Sequence, residues 1–294
     1  MSSQLSNTTA SSSERIPTVS VIIPTFNEAR NIPLVFAELP DVHEIIVVDG
    51  HSHDDTVAVV RSLRPDARII MQNRRGKGNA LACGFAAATG DIIVMLDADG
   101  SADPGEIQAF VDALLAGADF AKGTRFAAGG GSSDVTRLRR LGNKGLNLLV
   151  NSVYGTNYTD LCYGYNAFWR ECLPLIDLRV EAVGAEDDEL VWGDGFEVET
   201  LINVRIAKAE LRVVEVPSYE RDRVHGVSNL NAVQDGLRVL RTIGAERRRS
   251  RVAPSPILPV DDTDTSLTDS ARGPSPRMVD LQATRPDTYT PTYS

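Results

Sequence analysis

The chain has 294 residues, 30 of them basic and 40 acidic, which gives a formal net charge of −10 at pH 7. This acidic balance argues against non-specific nucleic-acid binding, because the phosphate backbone attracts basic surfaces. Three cysteines without Cys-x-x-Cys spacing argue against a disulfide framework or a zinc site, and no apolar run reaches the roughly 18 residues of a membrane span.

The two ends of the chain differ in composition from the rest. Residues 1–16 form a polar leader rich in Ser and Thr, and residues 249–294 are rich in Pro, Ser, Thr, Asp and Arg without periodicity. Both segments are expected to be disordered, because neither can bury enough apolar surface to fold. The leader lacks the apolar segment of a secretory signal peptide, which favours a cytoplasmic protein. Residues 17–248 are expected to form the folded domain.

Apolar strands alternate with helices over the first part of this domain. Strands are predicted at Val19–Pro24, Glu44–Asp49, Ala67–Met71, Asp91–Asp97 and Ala118–Lys122, and helices at Glu28–Leu39, Asp54–Leu63, Asn79–Ala88 and from Pro104 onward. Near-continuous apolar strands separated by helices predict a doubly wound α/β domain, whose parallel sheet is covered on both faces. Ligands of such domains bind at the carboxyl ends of the strands.

The pattern changes after Phe126. A long amphipathic helix is predicted at Asp134–Tyr154, followed by a short strand at Asp160–Arg170, a helix at Phe196–Lys208, a strand at Leu211–Val216 and a last helix at Asn229–Glu246. The helix Asp134–Tyr154 carries an apolar stripe of Leu138, Leu141, Leu149 and Val153, with basic residues elsewhere. Two interpretations stay open: the stripe packs on the sheet, or it lies on an anionic membrane surface.

Asp97 and Asp99 follow the fourth apolar strand as Asp-Ala-Asp. Side chains two residues apart in a strand point to the same side, so both carboxylates are expected together where the sheet opens to solvent. Two such oxygen ligands can hold Mg²⁺ or Mn²⁺ against a diphosphate, and the metal would stabilise charge on a leaving nucleoside diphosphate. The alternative is a solvated turn, but the position at a strand tip favours the metal site.

Two other strand tips carry candidate nucleotide ligands. Asp49 ends the second strand, where its carboxylate can accept hydrogen bonds from a base or a ribose, or can serve the turn that follows. The segment Pro24-Thr25-Phe26-Asn27-Glu28 closes the first strand and starts a helix. It would either wall a nucleotide pocket or form an ordinary helix start, and spacing alone does not decide between them.

Basic residues also lie where phosphates bind in such sheets. Lys77 lies in the turn RRGKG before a helix N-terminus, which is a natural anion site, although the turn matches neither a P-loop nor GxGxxG. Arg125 and Arg223 follow strands, and a guanidinium there can bind phosphate with two parallel hydrogen bonds. For each of the three, a solvated loop or a surface salt bridge is the alternative.

The ordered set of motifs is more specific than any one of them. VSVIIPTFNE, EIIVVDG, DADG, GTRF, TDLCYGYNAF, GFEVET and EVPSYERDRVHGVSNL follow one another along the chain. Together they resemble the family 2 glycosyltransferases of GT-A fold, most closely the dolichol/polyprenol-phosphate mannosyltransferase-like branch, over about residues 19–246. The resemblance implies a GT-A-type catalytic domain over residues 17–248, with a doubly wound, mostly parallel sheet and a C-terminal α+β extension on the acceptor side.

The resemblance also implies roles for single residues. The nucleotide would be bound by Pro24, Asn27, Glu28, Asp49, Lys77 and Asp97. Asp97 and Asp99 would serve the diphosphate and its cation, Mg²⁺ or Mn²⁺. The catalytic set would then be completed by Arg125 and Arg223, which face the acceptor phosphate together with His225 and Ser228. Relatives often carry Gln where this chain has Ser101, and Lys where it has Asn229.

The implied activity is an inverting, metal-dependent transfer of one sugar, mannose or glucose. The donor would be a GDP- or UDP-linked sugar and the acceptor a polyprenyl or dolichyl phosphate, with peripheral contact at the inner face of the membrane. An ionised lipid phosphate needs no general base, so catalysis would be positional and electrostatic.

Two alternative functions stay open. Transfer to a soluble hydroxyl acceptor would need a base, for which the candidates are Asp187, Asp188, Asp194 and Glu197. The other alternative is a non-catalytic sugar-nucleotide-binding protein.

Overall fold

The computed structural model describes residues 16–180, 192–226 and 232–249, except for the side chains of 232–235. The strands are β1 (Val19–Thr25), β2 (Glu44–Asp49), β3 (Arg68–Met71), β4 (Ile92–Met95), β5 (Phe120–Thr124), β6 (Gly131–Ser132), β7 (Asn166–Trp169), β8 (Val213–Pro217) and β9 (Tyr219–Glu220). The α-helices are α1 (Ile32–Glu38), α2 (Thr56–Leu63), α3 (Lys77–Ala87), α4 (Ile107–Leu115), α5 (Arg137–Tyr154), α6 (Leu173–Ile176), α7 (Val198–Lys208) and α8 (Ala232–Arg248).

Seven strands form one sheet in the order β3-β2-β1-β4-β7-β5-β8. Neighbouring strands are parallel except at β7, which runs antiparallel to both β4 and β5. Thr25 pairs with Asp49 at the carboxyl tips of β1 and β2, so the two predicted nucleotide segments adjoin. The short strands β6 and β9 form a separate ribbon. The predicted α/β fold with a mostly parallel sheet is confirmed.

The sheet buries both of its faces. Successive side chains of a strand point to opposite sides, so each central strand contributes to two cores. One core contains Val21, Val47 and Val94 with residues of α1, α2 and α4, and the other contains Ile22, Ile46 and Ile93 with residues of α3 and α7. This double coverage fixes the sheet and leaves its carboxyl edge to form a site.

Several predicted element boundaries differ from the structure, and three of them bear on the site. Helix α1 begins at Ile32 rather than Glu28, and Pro33 lies in its first turn, where proline is tolerated. Strand β4 ends at Met95, so Asp97 and Asp99 lie in the following turn. The predicted strand Asp160–Arg170 is reduced to Asn166–Trp169, because the segment before it pairs with side chains of α5 instead of with a strand.

Helix α5 turns its apolar stripe outward. Leu138 and Leu141 are 71% and 69% exposed, whereas the buried residues of the helix are Asn143, Asn147 and Val150. The interpretation that the stripe packs on the sheet is therefore wrong for Leu138 and Leu141, whereas Val153 is half-buried. The buried asparagines face the irregular segment 158–161, whose backbone needs hydrogen-bond partners that leucine lacks.

Some predictions fall on residues outside the described ranges. These are the disorder of almost the whole leader and tail, the base candidates Asp187 and Asp188, and the acceptor-side Ser228. Within the described part of the chain, no helix combines the length and the apolar composition that crossing a membrane requires.

Candidate active site

A cavity of about 520 Å³ lies beyond β4 and β5 and is lined by side chains of two kinds. We call the first group the charged wall; it consists of Lys77, Asp97, Asp99, Glu199 and Arg223. We call the second group the apolar wall; it consists of Leu138, Leu146, Leu237, Val239 and Leu240, from helices α5 and α8. Strand tips and helix termini thus supply the charges, and two peripheral helices supply the hydrocarbon surface.

Asp97 and Asp99 both line the cavity, but not because of strand alternation, since the strand has already ended. Gly100 has a φ of +75°, which closes a tight turn after the pair. Within that turn the backbone N–H and the hydroxyl of Ser101 donate to Asp99 Oδ1 at 3.0 and 2.7 Å. The turn therefore fixes the direction of the Asp99 carboxylate.

Lys77 is the first residue of α3 and bridges two carboxylates. Its Nζ lies 2.6 Å from Asp97 Oδ1 and 2.8 Å from Glu199 Oε1. Burial alone would lower the pKa of Lys77, but the two carboxylates outweigh it and raise that pKa well above its usual range. Burial also raises the pKa of Glu199, although the ammonium group of Lys77 opposes this. The two short contacts hold the Lys77 side chain between these carboxylates.

A close backbone contact positions the start of α3. The N–H of Gly78 donates to the carbonyl of Asp194 at 2.8 Å. A Cβ on Gly78 would lie 1.7 Å from the carbonyl oxygen of Gly193, so no other residue fits there. This contact joins α3 to the segment that leads into α7, and so brings Lys77 and Glu199 together.

Arg223 completes the charged wall. Its Nη2 lies 2.9 Å from Asp99 Oδ2. Glu28 lies close enough to Asp99 and Arg223 for their charges to affect its pKa. Burial raises the pKa of Glu28, the hydrogen bond from Asn31 opposes this, and the carboxylate of Asp99 raises the pKa further. Asn31 also donates to the backbone carbonyl of His225 at 3.2 Å, which ties the loop after β9 to the start of α1.

Arg125 lines the cavity as the centre of an internal ion network. Its Nε donates to Asp160 Oδ2 at 2.7 Å, its Nη2 to Asp160 Oδ1 at 2.9 Å, and its Nη1 to Glu220 Oε2 at 2.9 Å. Burial would lower the pKa of Arg125, but these carboxylates outweigh it and raise the pKa. The formal charges of Asp160, Glu220 and Arg125 sum to a net negative charge for this network. The predicted phosphate contact of Arg125 stays a prediction.

The predicted nucleotide residues of β1 and β2 lie together but outside the cavity lining. Asp49 is only 1% exposed, and its carboxylate accepts from the N–H and the hydroxyl of Ser52 at 2.8 and 2.6 Å. Asn27 has a φ of +59° and accepts from the N–H of His53. Pro24 is half-buried at the tip of β1. Among these four residues, Glu28 is the one electrostatically coupled to the charged wall.

Sequence reasoning missed three carboxylates of the site: Glu199, Asp160 and Glu220. Glu199 ends the acidic stretch from which base candidates were drawn. Of those candidates, Asp194 is paired with Arg74 at 2.9 Å, and Glu197 accepts from the N–H groups of Gly193 and Gly195. Neither lines the cavity. Their neighbour Glu199 does, because helix α7 turns that position toward Lys77.

The donor set suits a hard divalent cation. Asp97 and Asp99 offer carboxylate oxygens, and Mg²⁺ characteristically binds one or two protein carboxylates together with substrate phosphates and water. Among the described residues, no group of three or more His, Cys, Asp or Glu side chains is placed to hold a metal ion. A cation on these two carboxylates would therefore take its other ligands from a diphosphate and from water.

The chain is similar to known glycosyltransferases in sequence and in structure. A model of Glycosyl transferase family 2 matches residues 20–174. Polyprenol monophosphomannose synthase of Mycolicibacterium smegmatis is 35% identical over 223 residues, covering 72% of this chain and 80% of that protein. Glycosyltransferase AglJ of Haloferax volcanii is 31% identical over 228 residues, covering 74% and 68%. A crystal structure of glucosyl-3-phosphoglycerate synthase from Mycobacterium tuberculosis, in complex with Mn²⁺, uridine diphosphate and glucosyl-3-phosphoglycerate, matches with a TM-score of 0.59 and 25% identity, covering 78% of this chain and 80% of that one.

Proposed function

Because the chain belongs to glycosyl transferase family 2, we propose that it transfers one sugar, with inversion, from a GDP- or UDP-linked donor to a polyprenyl phosphate. The family, the glycosyltransferase activity and the GT-A fold are the premise. The acceptor, the stereochemistry, the dependence on Mg²⁺ or Mn²⁺ and the site of action are the proposal.

The observation that carries the proposal is the joining of the charged wall and the apolar wall in one cavity. The acceptor has the same two parts, an anionic phosphate and a hydrocarbon chain. Apolar surface gains about 25 cal/mol for each Å² removed from water, so the leucines of α5 and α8 favour a hydrocarbon ligand. Polyprenol monophosphomannose synthase, with which this chain is 35% identical, supports this acceptor, because its name specifies a polyprenol product.

The proposed reaction is a single displacement. A phosphate oxygen of the acceptor attacks the anomeric carbon, the bond from that carbon to the donor's diphosphate breaks, and the nucleoside diphosphate leaves with the bonding electrons. The phosphate oxygen is already ionised at neutral pH, so no proton is removed. Lys77 and Arg223 supply positive charge beside the reacting groups. A divalent cation on Asp97 and Asp99 would supply Lewis-acid stabilisation of the leaving diphosphate.

The positions of Asp194 and Glu197, the two base candidates within the described residues, favour a phosphate acceptor over a hydroxyl acceptor. A hydroxyl nucleophile needs a general base within hydrogen-bond reach. Asp194 and Glu197 are both buried, hold other partners and do not line the cavity. An acceptor that arrives ionised needs neither of them.

Peripheral contact with the membrane follows from the outer surfaces of α5 and α8. Leu138, Leu141 and Leu148 are exposed on α5, and Leu237 and Leu240 on α8. Exposed basic side chains border them, namely Arg137, Arg140, Lys144 and Arg241. Burial of a leucine side chain is worth about 1.5–3 kcal/mol and a basic residue near anionic lipid about 1 kcal/mol. We place this surface at the cytoplasmic face, where the anionic lipids lie.

Two assays test the proposal in sequence. Thermal-shift measurements with Mn²⁺ and a panel of GDP- and UDP-sugars identify the donor, and that donor is then incubated with a short-chain polyprenyl phosphate. We expect a lipid-linked sugar whose anomeric configuration is opposite to that of the donor. Transfer only to soluble acceptors, or retention of configuration, would contradict the proposal.

Vesicle sedimentation tests the membrane contact separately. The double variant Leu138→Ser and Leu141→Ser should lose binding to vesicles that contain phosphatidylserine by roughly 10-fold or more, because two exposed leucines are removed from the contact. A variant that binds these vesicles as well as the wild type does would contradict this part.

A further inference from the structure

A short segment, residues 218–223, follows β8 and carries Arg223 to the cavity. Its first part is fixed by Glu106, which accepts from the hydroxyl of Ser218 and from the next backbone N–H at 3.0 Å. At its last residue, Arg223 Nη2 lies 2.9 Å from Asp99 Oδ2. The two ends of the 218–223 segment are therefore both held, one outside the cavity and one at its charged wall.

Arg221 fastens the middle of this segment to two other parts of the protein. Its backbone N–H donates to the carbonyl of Ser101 at 2.7 Å, which joins the segment to the turn after β4. Its guanidinium is shared by two carboxylates: Nη1 lies 2.7 Å from Glu38 Oε2 on α1, and Nη2 lies 2.5 Å from Asp103 Oδ2. A planar guanidinium holds two such partners in a fixed geometry, so Arg221 fixes the backbone two residues before Arg223.

Arg221 differs from Arg223 in what it contacts. Arg223 lines the cavity, whereas Arg221 does not. The Arg221 side chain is 42% exposed, and exposed ion pairs contribute little to the stability of a fold. The consequence of its two ion pairs is therefore local: they set the path of the segment that presents Arg223 to Asp99.

The contact between Arg223 and Asp99 affects the carboxylate that suits a divalent cation. Asp99 Oδ1 accepts from the backbone N–H and the hydroxyl of Ser101, and Oδ2 faces the guanidinium of Arg223. A divalent cation on Asp99 would be repelled by that positive charge. A diphosphate that arrives with the cation would offset the repulsion, because its negative charge attracts both.

We propose that Arg221 is a positioning residue, which holds Arg223 against Asp99 and thereby keeps the affinity of Asp97 and Asp99 for a divalent cation low until a nucleoside diphosphate binds. This inference rests on the proposed function for its cation and its diphosphate. It gives Arg221 a role although that residue lies outside the cavity. It also couples the binding of the cation to the binding of the nucleotide.

Mn²⁺ binding measured without nucleotide tests this role. Electron paramagnetic resonance reports the free Mn²⁺, so a titration gives the affinity of the protein for the ion alone. The variants are Arg221→Gln, Arg223→Gln and the double variant. Arg64→Gln is the control, because it removes the same charge from an ion pair with the exposed Asp66. Thermal melting reports whether each variant is folded.

We expect Arg223→Gln to tighten Mn²⁺ binding by roughly 10-fold or more, because it removes a positive charge from beside Asp99. Arg221→Gln should tighten it by roughly 3-fold or more, since Arg223 is then held less closely. The double variant should match Arg223→Gln within about 2-fold, because a residue that acts through another has no effect once that other is absent. The control should stay within about 2-fold of the wild type.

The pattern across the variants decides the inference. If Arg221→Gln changes the affinity by the same factor with and without Arg223, it acts through its own charge, and the positioning role is wrong. An unchanged affinity in either single variant would also overturn the role.

The same measurements separate this inference from the proposed function. If the non-additive pattern is found but no polyprenyl phosphate is glycosylated, the role of Arg221 stands and the proposed acceptor fails. If the two effects add while the wild type glycosylates polyprenyl phosphate, the proposed function stands and the role of Arg221 fails. A wild type and variants that bind no Mn²⁺, even with GDP or UDP present, overturn both the inference and the proposed dependence on a metal.

Discussion

Helices α7 and α5 both line the cavity, yet they are attached to the protein in opposite ways. Every side chain of α7 from Val198 to Ile206 is buried, and its charged residues Glu199 and Arg205 are held by partners inside. Helix α5 is longer but buries only Asn143, Asn147 and Val150, and it leaves its leucines outside.

The difference separates two tasks. The charged wall is carried by a helix that cannot shift without opening the core, which holds Glu199 at a fixed distance from Lys77. The part of the apolar wall that α5 carries is anchored by the polar contacts of Asn143 and Asn147 and by the buried Val150, so Leu138 remains available for a hydrocarbon ligand.

The largest expected effect is on stability, at the buried ion network that anchors Arg125 beneath α5. Asp160 is fully buried and bonds both to Arg125 and, at 3.0 Å, to Asn143. Asp160→Ala should lower the free energy of unfolding by about 3–5 kcal/mol, because it leaves a buried guanidinium short of a partner. Urea denaturation measures this.

A surface ion pair provides the control for that variant. Asp66 pairs with Arg64 at 2.9 Å, but its side chain is 65% exposed. Asp66→Ala should cost less than about 1 kcal/mol. Equal losses in the two variants would show that the network under α5 does not anchor it.

The next largest effect is on catalysis at the charged wall. Asp99→Asn keeps the shape of the side chain but removes the charge that suits a divalent cation and that pairs with Arg223. Transfer should fall about 100- to 1,000-fold, the usual cost of removing one electrostatic group from a transition state. Initial rates at saturating Mn²⁺ measure it, and an unchanged melting temperature shows that the fold is intact. Full activity in this variant would remove Asp99 from the mechanism.

Helix α5, which buries asparagines and exposes leucines, predicts a smaller effect on stability. The effect depends on which face of the helix is changed. Asn147 donates to the carbonyl of Thr159 and accepts from the N–H of Leu161 at 2.8 Å. Asn147→Leu should destabilise the protein by about 1–3 kcal/mol, because it leaves buried backbone groups without a partner. The reverse change on the outer face, Leu148→Asn, should stay within about 0.5 kcal/mol. A destabilising Leu148→Asn and a neutral Asn147→Leu would mean that the faces are assigned wrongly.

The smallest effect lies far from both walls, at the start of β2. Glu44 accepts hydrogen bonds from Ser20, Thr89 and Gly90, which together outweigh burial and lower its pKa to about 2. A carboxyl whose pKa is lowered by folding contributes stability above its unfolded pKa and loses that contribution as pH falls through the folded value. Glu44→Gln should therefore melt below the wild type at pH 7, and the difference should shrink between about pH 5 and pH 2.

This variant also serves as a baseline for the site. Its affinity for the sugar nucleotide should equal that of the wild type, since Glu44 begins β2 at the edge of the sheet opposite the strand tips. A difference in melting temperature that persists unchanged at pH 2 would contradict the assigned hydrogen bonds.

The alternation of strands and helices along the chain and the positions of the strand tips could be predicted, because each depends on short-range patterns. Apolar runs ending in Asp49 and Asp97 fix where the strands stop, within two residues. The partners of the charged groups could not be predicted. The sequence predicts that Lys77 binds phosphate. Only the folded arrangement shows that its ammonium group is paired with Glu199 as well as with Asp97. Periodicity predicted α5 as an amphipathic helix, but it does not tell which face is buried when the opposing segment is irregular backbone.

The dependence of transfer on the acceptor's hydrocarbon chain tests the central claim most directly. The measurement compares kcat/KM for a series of phosphate monoesters with the same headgroup and isoprenoid chains of increasing length, using the donor found by thermal shift. We expect kcat/KM to rise with chain length as the apolar wall becomes covered, and transfer to 3-phosphoglycerate to be absent. Equal kcat/KM across the series, or faster transfer to the soluble phosphate, would contradict the claim that the two walls bind one lipid phosphate.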